Sequence, residues 1–229
     1  MDLEEIGIEC VVQLVTHHGQ WFNFMAYHDD AITHWMGGCR FHESDMLEVI
    51  WQRYGVGGIY VDFGAFIGTH SVFFSRICKA DKVIAVEANR EAAYFCEYNL
   101  FVNGCENVEL YNLAVDEHPG QGKLIQGRIN KGSANVVREP VEEDGQVVQI
   151  VRAGDFLQDG CKFLKVDVES LSIPAVLGCR PEIEKWKPII AVEAAYPDQF
   201  FNLEFLMRDM GYKYQNTYGQ TPMHIYEPV

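Results

Sequence analysis

The chain has 229 residues, 48% of them hydrophobic, and a formal net charge of −15. That length fits one α/β domain with a small addition, and the apolar content is ample for a core. The acidic balance speaks against a nucleic-acid surface and an anionic membrane surface, both of which are bound through Lys and Arg, and no apolar run is long enough to span a bilayer.

Seven cysteines, at 10, 39, 78, 96, 105, 161 and 179, make an odd count with no C-x-x-C spacing. No N-glycosylation sequon occurs, and the first nine residues carry acids but no basic leader. These features predict a reducing, cytoplasmic setting.

Residues 8–57 form a distinct opening, rich in aromatics and holding five of the eight histidines. The pattern predicts a strand over 8–15 that turns at His17-His18-Gly19 and pairs with 21–26. A helix over 45–51 follows. We expect residues 1–55 to form a small β/α cap on the core that begins at 56. Adjacent His17 and His18 could ligate a metal, but a turn with exposed imidazoles is the favoured reading. His34, Trp35 and His42 suit contacts to a polar acceptor.

Residues 59–63 read as a short buried strand, and Gly64 and Gly68 as a turn before a helix over 71–77. Strand, glycine turn and helix is the geometry that cradles a nucleotide-like ligand, because glycine lets backbone N–H groups approach closely. The next strand, 82–87, ends in Glu87, placed 25 residues after Asp62 and able to accept from ribose hydroxyls. The three-glycine dinucleotide fingerprint is absent. Val61-Asp62-Phe63-Gly64-Ala65 suits instead a nucleoside with an amino-acid tail, namely S-adenosylmethionine.

A helix is expected over 90–102, stopped at Asn103-Gly104, then a strand over 108–112. Asn112 and Ala114 stand where a small polar group can meet adenine. Residues 116–150 break the alternation, and we expect a loop-rich insert with a hairpin between 123–126 and 147–151. Residues 130–135 would be its tip. A strand over 162–168 ends in Lys165-Val166-Asp167-Val168-Glu169, and Pro174 starts a helix. A strand over 188–193, a helix over 202–210 capped by Gly211 and an antiparallel hairpin, 212–216 with 223–227, close the chain. The alternation predicts a Rossmann-like, doubly wound, mostly parallel seven-stranded sheet. Asp62, Glu87, Asn112, Asp167 and Glu193 would share its carboxyl rim, where ligands bind.

The combination of the glycine turn (61–68, with Ser71), 82–87, Asn99 to Gly104, Lys165 to Glu169 and 187–193 resembles the FkbM-type S-adenosylmethionine-dependent methyltransferases. The resemblance covers roughly 40–215 and implies O-methylation, often of sugars or glycan-bearing metabolites. It implies cofactor contacts from Asp62, Gly64, Ala65, Phe66, Gly68, Thr69, His70, Glu87, Ala88, Asn112, Ala114 and Asp167. The chain departs from the family at four places. Phe66 replaces an Asn, Ala88 a Pro, Ser170 a Gly and Ser172 an acid.

An alcohol is a poor nucleophile at neutral pH and needs a base or a metal. Asp167 is the expected base, with Glu193 converging on it, Lys165 stabilising the alkoxide or pairing with the acids, and His70 as another base. Asp167, Glu169 and Glu193 also form a hard oxygen set of the kind that holds Mg²⁺. Two other readings stay open: an S-adenosylmethionine-binding regulatory or scaffold protein whose catalytic loop has decayed, and an NAD-dependent oxidoreductase.

Overall fold

The computed structural model describes residues 9–125, 131–138 and 145–229. The chain opens with a hairpin, β1 (Cys10–His17) and β2 (Gln20–Tyr27), paired in full register across His18-Gly19. Two short helices follow, α1 (Ala31–Met36) and α2 (Ser44–Val49), the second continuing as a π-turn over Ile50–Tyr54. Asp30 starts α1 by accepting from the N–H groups of Ile32 and Thr33.

The central sheet begins with β3 (Ile59–Phe63), whose burial is nearly complete because it lies mid-sheet. Then come α3 (Thr69–Arg76), β4 (Lys82–Val86), α4 (Arg90–Val102) and β5 (Val108–Tyr111). The insert contributes β6 (Ala114–Asp116), β7 (Gly120–Ile125), β8 (Asn135–Val137) and β9 (Gln146–Arg152). The chain returns through β10 (Phe163–Val166), α5 (Ser172–Gly178), α6 (Arg180–Trp186), β11 (Ile189–Glu193) and α7 (Pro197–Asp209), and ends with the hairpin β12 (Tyr212–Tyr218) and β13 (Met223–Pro228).

The sheet order is β12-β13-β11-β10-β3-β4-β5, with β11, β10, β3, β4 and β5 parallel and the closing hairpin antiparallel at the β11 edge. From β3 the chain moves outward through β4 and β5, then returns to the other side of β3 with β10. The order therefore reverses between β3 and β10, the place where open α/β sheets leave a crevice at their carboxyl ends.

One sheet face carries α3, α4 and the opening hairpin: Phe22, Phe24 and Phe41 share a cluster with Phe73, Phe74 and Phe95. The other face carries α5, α6 and α7 through Val176, Ile183, Leu203 and Met207. Asn99, fully buried on α4, ties the hairpin down. Its Oδ1 accepts from Met25 N–H at 2.7 Å, and its Nδ2 donates to the carbonyls of Met25 and Ile67 at 2.9 and 2.8 Å.

The insert differs from the loop-rich expectation. It is a four-stranded sheet, β6-β9-β7-β8, in which β7 and β9 form the expected antiparallel pair and β6 adds in parallel. Ala114, Leu124, Val148 and Ile150 point to one side and bury a small cluster, which is why these strands outcompete a glycine-rich loop. Gly127 and parts of the 123–126 run and the 130–135 tip lie outside the described residues. Two helices also differ: α7 starts at Pro197 rather than 202, and α6 is a separate helix entered through Pro181.

Candidate active site

The turn after β3 is built by glycine because no other residue fits. Gly64 has φ +78°, and a Cβ there would lie 1.7 Å from the Asp167 carbonyl oxygen, so β3 and the end of β10 pass in backbone contact. Gly64 and Ala65 donate their N–H groups to Val86 O at 2.9 and 3.1 Å, which binds the turn to the end of β4. Gly68 (φ +85°) serves packing: its Cβ would meet Cys96 Sγ at 2.8 Å.

A cleft enclosing about 840 Å³, part of it open to solvent, lies at this carboxyl rim. Gly64, Phe66, Glu87, Ala88 and Ala114 line one wall; Asp167, Glu169 and Glu193 line another, with Trp35 and His42 reaching in from the opening segment. Glu87 sits at the junction. Its Oε2 accepts from Phe66 N–H and its Oε1 from Asn89 N–H, both at 2.8 Å. Burial pushes its carboxyl up to about 7, against the two N–H bonds, which favour the anion.

Behind the cleft lies a buried cation. Lys165 is 1% exposed; its Nζ donates to Asp62 Oδ1 at 3.0 Å and to the Gly64 carbonyl at 2.9 Å, and it stands 3.4 Å from Asp167 Oδ2. Burial works against its charge, but Asp62 and Asp167 outweigh it and hold the ammonium protonated. The other oxygen of Asp62 accepts from Ser71 Oγ at 2.6 Å. Glu193 is pushed well up by burial and by the charges of Asp167 and Glu169, and it hydrogen-bonds Asp167. Burial and Asp167 also raise Glu169, to about 7.

Residues 62–214, more than half of the chain, match the family described as the methyltransferase FkbM domain. The chain belongs to the FkbM methyltransferase family. A solved FkbM methyltransferase from Methylobacillus flagellatus KT aligns with a TM-score of 0.59 at 17% identity, over 79% of this chain and 47% of that one. The chain thus spans about half the length of that protein. An rRNA methylase from Streptococcus thermophilus aligns at TM-score 0.50 and 13% identity, over 81% and 95% of the two chains. Precorrin 8w decarboxylase from Methanobacterium thermoautotrophicum does so at 0.50 and 17%, over 81% and 90%. These likenesses show the fold alone. No curated protein matches the sequence significantly.

Membership in the FkbM family implies S-adenosylmethionine as methyl donor, and the cleft fits it. Each Glu87 oxygen holds one backbone N–H and keeps a lone pair for a hydroxyl. Ala88, Leu113, Ala114 and Val136 supply an apolar surface of the kind a flat adenine ring needs.

Several expected contacts sit elsewhere. Asp62 is fully buried between Ser71 and Lys165, off the cleft wall. Ala65, Gly68 and Thr69 belong to the turn's interior and are also off the wall. Asn112 is spent on backbone, donating to the carbonyls of Glu87 and Ala88 at 2.7 and 3.1 Å, so it shapes the loop after β4 instead of facing adenine. Lys165 is not a rim group; it is locked beneath the rim. His70 is buried behind His42, its Nε2 3.3 Å from the His42 carbonyl and 3.5 Å from Glu43 Oε2, and has no path to an acceptor. Asp167, Glu169 and Glu193 share the cleft, but their oxygens do not all converge within 4.8 Å as a metal set would; Glu193 meets Asp167 through a hydrogen bond.

His42 is the cleft residue that motif reading underweights. Its ring lies flat between Trp35 (5.3 Å, 9°) and His70 (5.8 Å, 10°), and burial lowers its pKa to about 4, leaving a neutral imidazole on the wall. Next to it, Glu43 is buried in the left-handed region (φ +53°), with both carboxyl oxygens lacking a hydrogen-bond partner. No local motif marks either residue; the sole signal is the density of His and Trp in the opening segment.

Proposed function

We propose that the protein is an S-adenosylmethionine-dependent O-methyltransferase whose acceptor is a hydroxyl of a sugar, a glycan or another small hydroxylated metabolite. The observation that supports this reading is one cleft lined by Glu87 on one side and by the acids Asp167 and Glu193 on the other, where burial and the neighbouring carboxylates favour a proton on Glu193. Gly64, Phe66, Glu87, Ala88 and Ala114 would hold the cofactor, which when bound supplies an electrophilic methyl group on a sulfonium.

The chain's own residues would do the rest. Asp167 is the partly exposed member of its network, 29% accessible, with Lys165 at its back. It is placed to take the proton of an acceptor hydroxyl, while Lys165 keeps its charge balanced and Glu193 steadies its second oxygen. Neutral His42 stands on the same wall as a further proton acceptor, and the Trp35 ring, backed by His42, offers a flat aromatic surface of the kind that binds sugars. Carboxylates on this wall and a net charge of −15 disfavour a phosphate-bearing acceptor such as RNA. The serines that replace family residues have ordinary roles, which weakens the regulatory alternative. Ser170 is exposed and has no left-handed backbone to need glycine, and Ser172 Oγ donates to Glu169 O at 3.2 Å within the turn before α5. The oxidoreductase reading falls with the family membership.

The test is methyl transfer from labelled S-adenosylmethionine across a panel of deoxysugars, glycans, small hydroxylated compounds and RNA. We expect transfer to a hydroxylated compound, with Asp167→Asn keeping cofactor affinity within a few fold and losing ~10²-fold or more in turnover. Transfer to RNA alone would overturn the acceptor class, and full turnover in Asp167→Asn would overturn the base.

A further inference from the structure

The opening hairpin holds a second group of convergent side chains, none of which lines the cleft. His17 and His18 flank the β1–β2 turn, and Glu48 projects from α2 toward both. His18 Nε2 lies 3.3 and 3.4 Å from the two Glu48 oxygens, and His17 Nε2 lies 3.6 Å from Oε2. Among the described residues this is the one set of three His, Cys, Asp or Glu side chains whose ligand atoms all fall within 4.8 Å of one another.

The separations are informative. They exceed the usual N–H···O distance of about 2.7–3.2 Å. A tetrahedral ion with bonds of about 2.0–2.2 Å to N and O spaces its ligands about 3.3–3.5 Å apart. His17 Nε2 is moreover buried without a hydrogen-bond partner, an arrangement that is costly unless something else satisfies it. The ring is not free to turn away: it is held edge-on by Phe73 at 5.0 Å and Trp51 at 5.6 Å, and Trp51 also packs on His18 at 5.0 Å. His18 (φ +45°) and Gly19 (φ +79°) are the two central residues of a hairpin turn that needs left-handed backbone at both, and this turn presents the His18 ring beside that of its neighbour. A pocket beside the three, lined also by Thr16, Ser44 and Asp45, leaves room for water as a fourth ligand.

We propose that His17, His18 and Glu48 bind one zinc-class transition-metal ion, which pins the hairpin turn to α2. Two imidazoles and one carboxylate favour such an ion over Mg²⁺ or Ca²⁺, which prefer all-oxygen sets. The site is separate from the cleft, but α2 follows directly on His42 and Glu43, so the ion would stiffen the segment that forms the acceptor wall.

The test uses the full chain with Cys10→Ser and Cys39→Ser, which removes the two exposed thiols that could hold metal adventitiously. Zn²⁺ alone is titrated by calorimetry, bound metal is counted after desalting, and Tm is read with and without Zn²⁺ and Mg²⁺. One equivalent of Zn²⁺ is expected, with Tm raised by about 5 °C or more at a hundredfold excess over Kd, and no response to Mg²⁺. His18→Ala and Glu48→Gln change partly exposed side chains and should remain folded. Each should lower Zn²⁺ affinity at least ~10-fold and remove most of the Tm shift. Absence of Zn²⁺ binding, or binding unchanged in both variants, would overturn the site.

Discussion

The two walls of the cleft are held by different kinds of interaction. On the wall formed by the Gly64 turn and Glu87 the polar groups have local partners. Gly64 and Ala65 bond to Val86, Glu87 accepts from Phe66 and Asn89, and Asn112 closes the loop after β4. The opposite wall carries Asp167, Glu169 and Glu193, and behind it the buried Lys165 ammonium feels Asp167, Glu193 and the buried Glu43. The Glu43 carboxyl oxygens have no hydrogen-bond partner, and His42 and His70 are kept neutral by burial. One wall is backbone geometry common to any nucleoside site; the other stores uncompensated polarity, as sites that move protons do.

The strongest way to break this contrast is at Gly64. Its absent side chain faces the Asp167 carbonyl, not the open cleft, so even Gly64→Ala must separate β3 from β10. We expect a loss of more than ~4 kcal/mol or failure to fold, read by chemical denaturation. A folded, stable Gly64→Ala that merely failed to bind cofactor would return this glycine to a ligand-clearance role.

A smaller effect sharpens the acceptor side. An unfolded glutamate releases its proton near pH 4.5, whereas burial holds the Glu43 proton up to about 8 in the fold. The folded chain therefore binds more protons between those values, and stability is lost as pH rises through that window. The Tm of wild type should fall more steeply from pH 5 to 9 than that of Glu43→Gln, with the two converging near pH 5. Parallel curves would show that Glu43 is not a buried acid.

The smallest expected effect is at Ser170. The family's glycine is missing there, but the left-handed residue is Glu169 (φ +54°), one position earlier. Ser170→Gly should leave turnover within about 2-fold and stability within ~0.5 kcal/mol. A large gain in turnover would mean that the loop is impaired in this chain.

What could be read from the sequence follows the same division. The glycine turn, Glu87 and the five parallel strands were legible because strand, turn and helix signals lie within a few residues of one another. The roles of Asp62 and Asn112 were not, and for Lys165 only the pairing with Asp167 was, since the rest depends on what the fold places beside each: Ser71, the backbone after β4, and Asp62 with the turn at Gly64. β6 was hidden because three residues, Ala114–Asp116, carry no period until β9 pairs with them. Phe66 shows both sides. The family's usual Asn tolerates φ +48° readily, whereas Phe in the left-handed region costs about 1 kcal/mol, offset here by stacking on Tyr27 at 5.6 Å.

The most direct test of the cleft as the methyl-donor site is calorimetric titration of S-adenosylhomocysteine into wild type and Glu87→Ala, with circular dichroism confirming that both are folded. Wild type should bind one equivalent, and the variant should bind about 2–4 kcal/mol more weakly, the loss of charge-assisted hydrogen bonds to the ribose. Equal affinity in the two proteins would contradict the assignment of the ribose to Glu87 and, with it, the placement of the cofactor in this cleft.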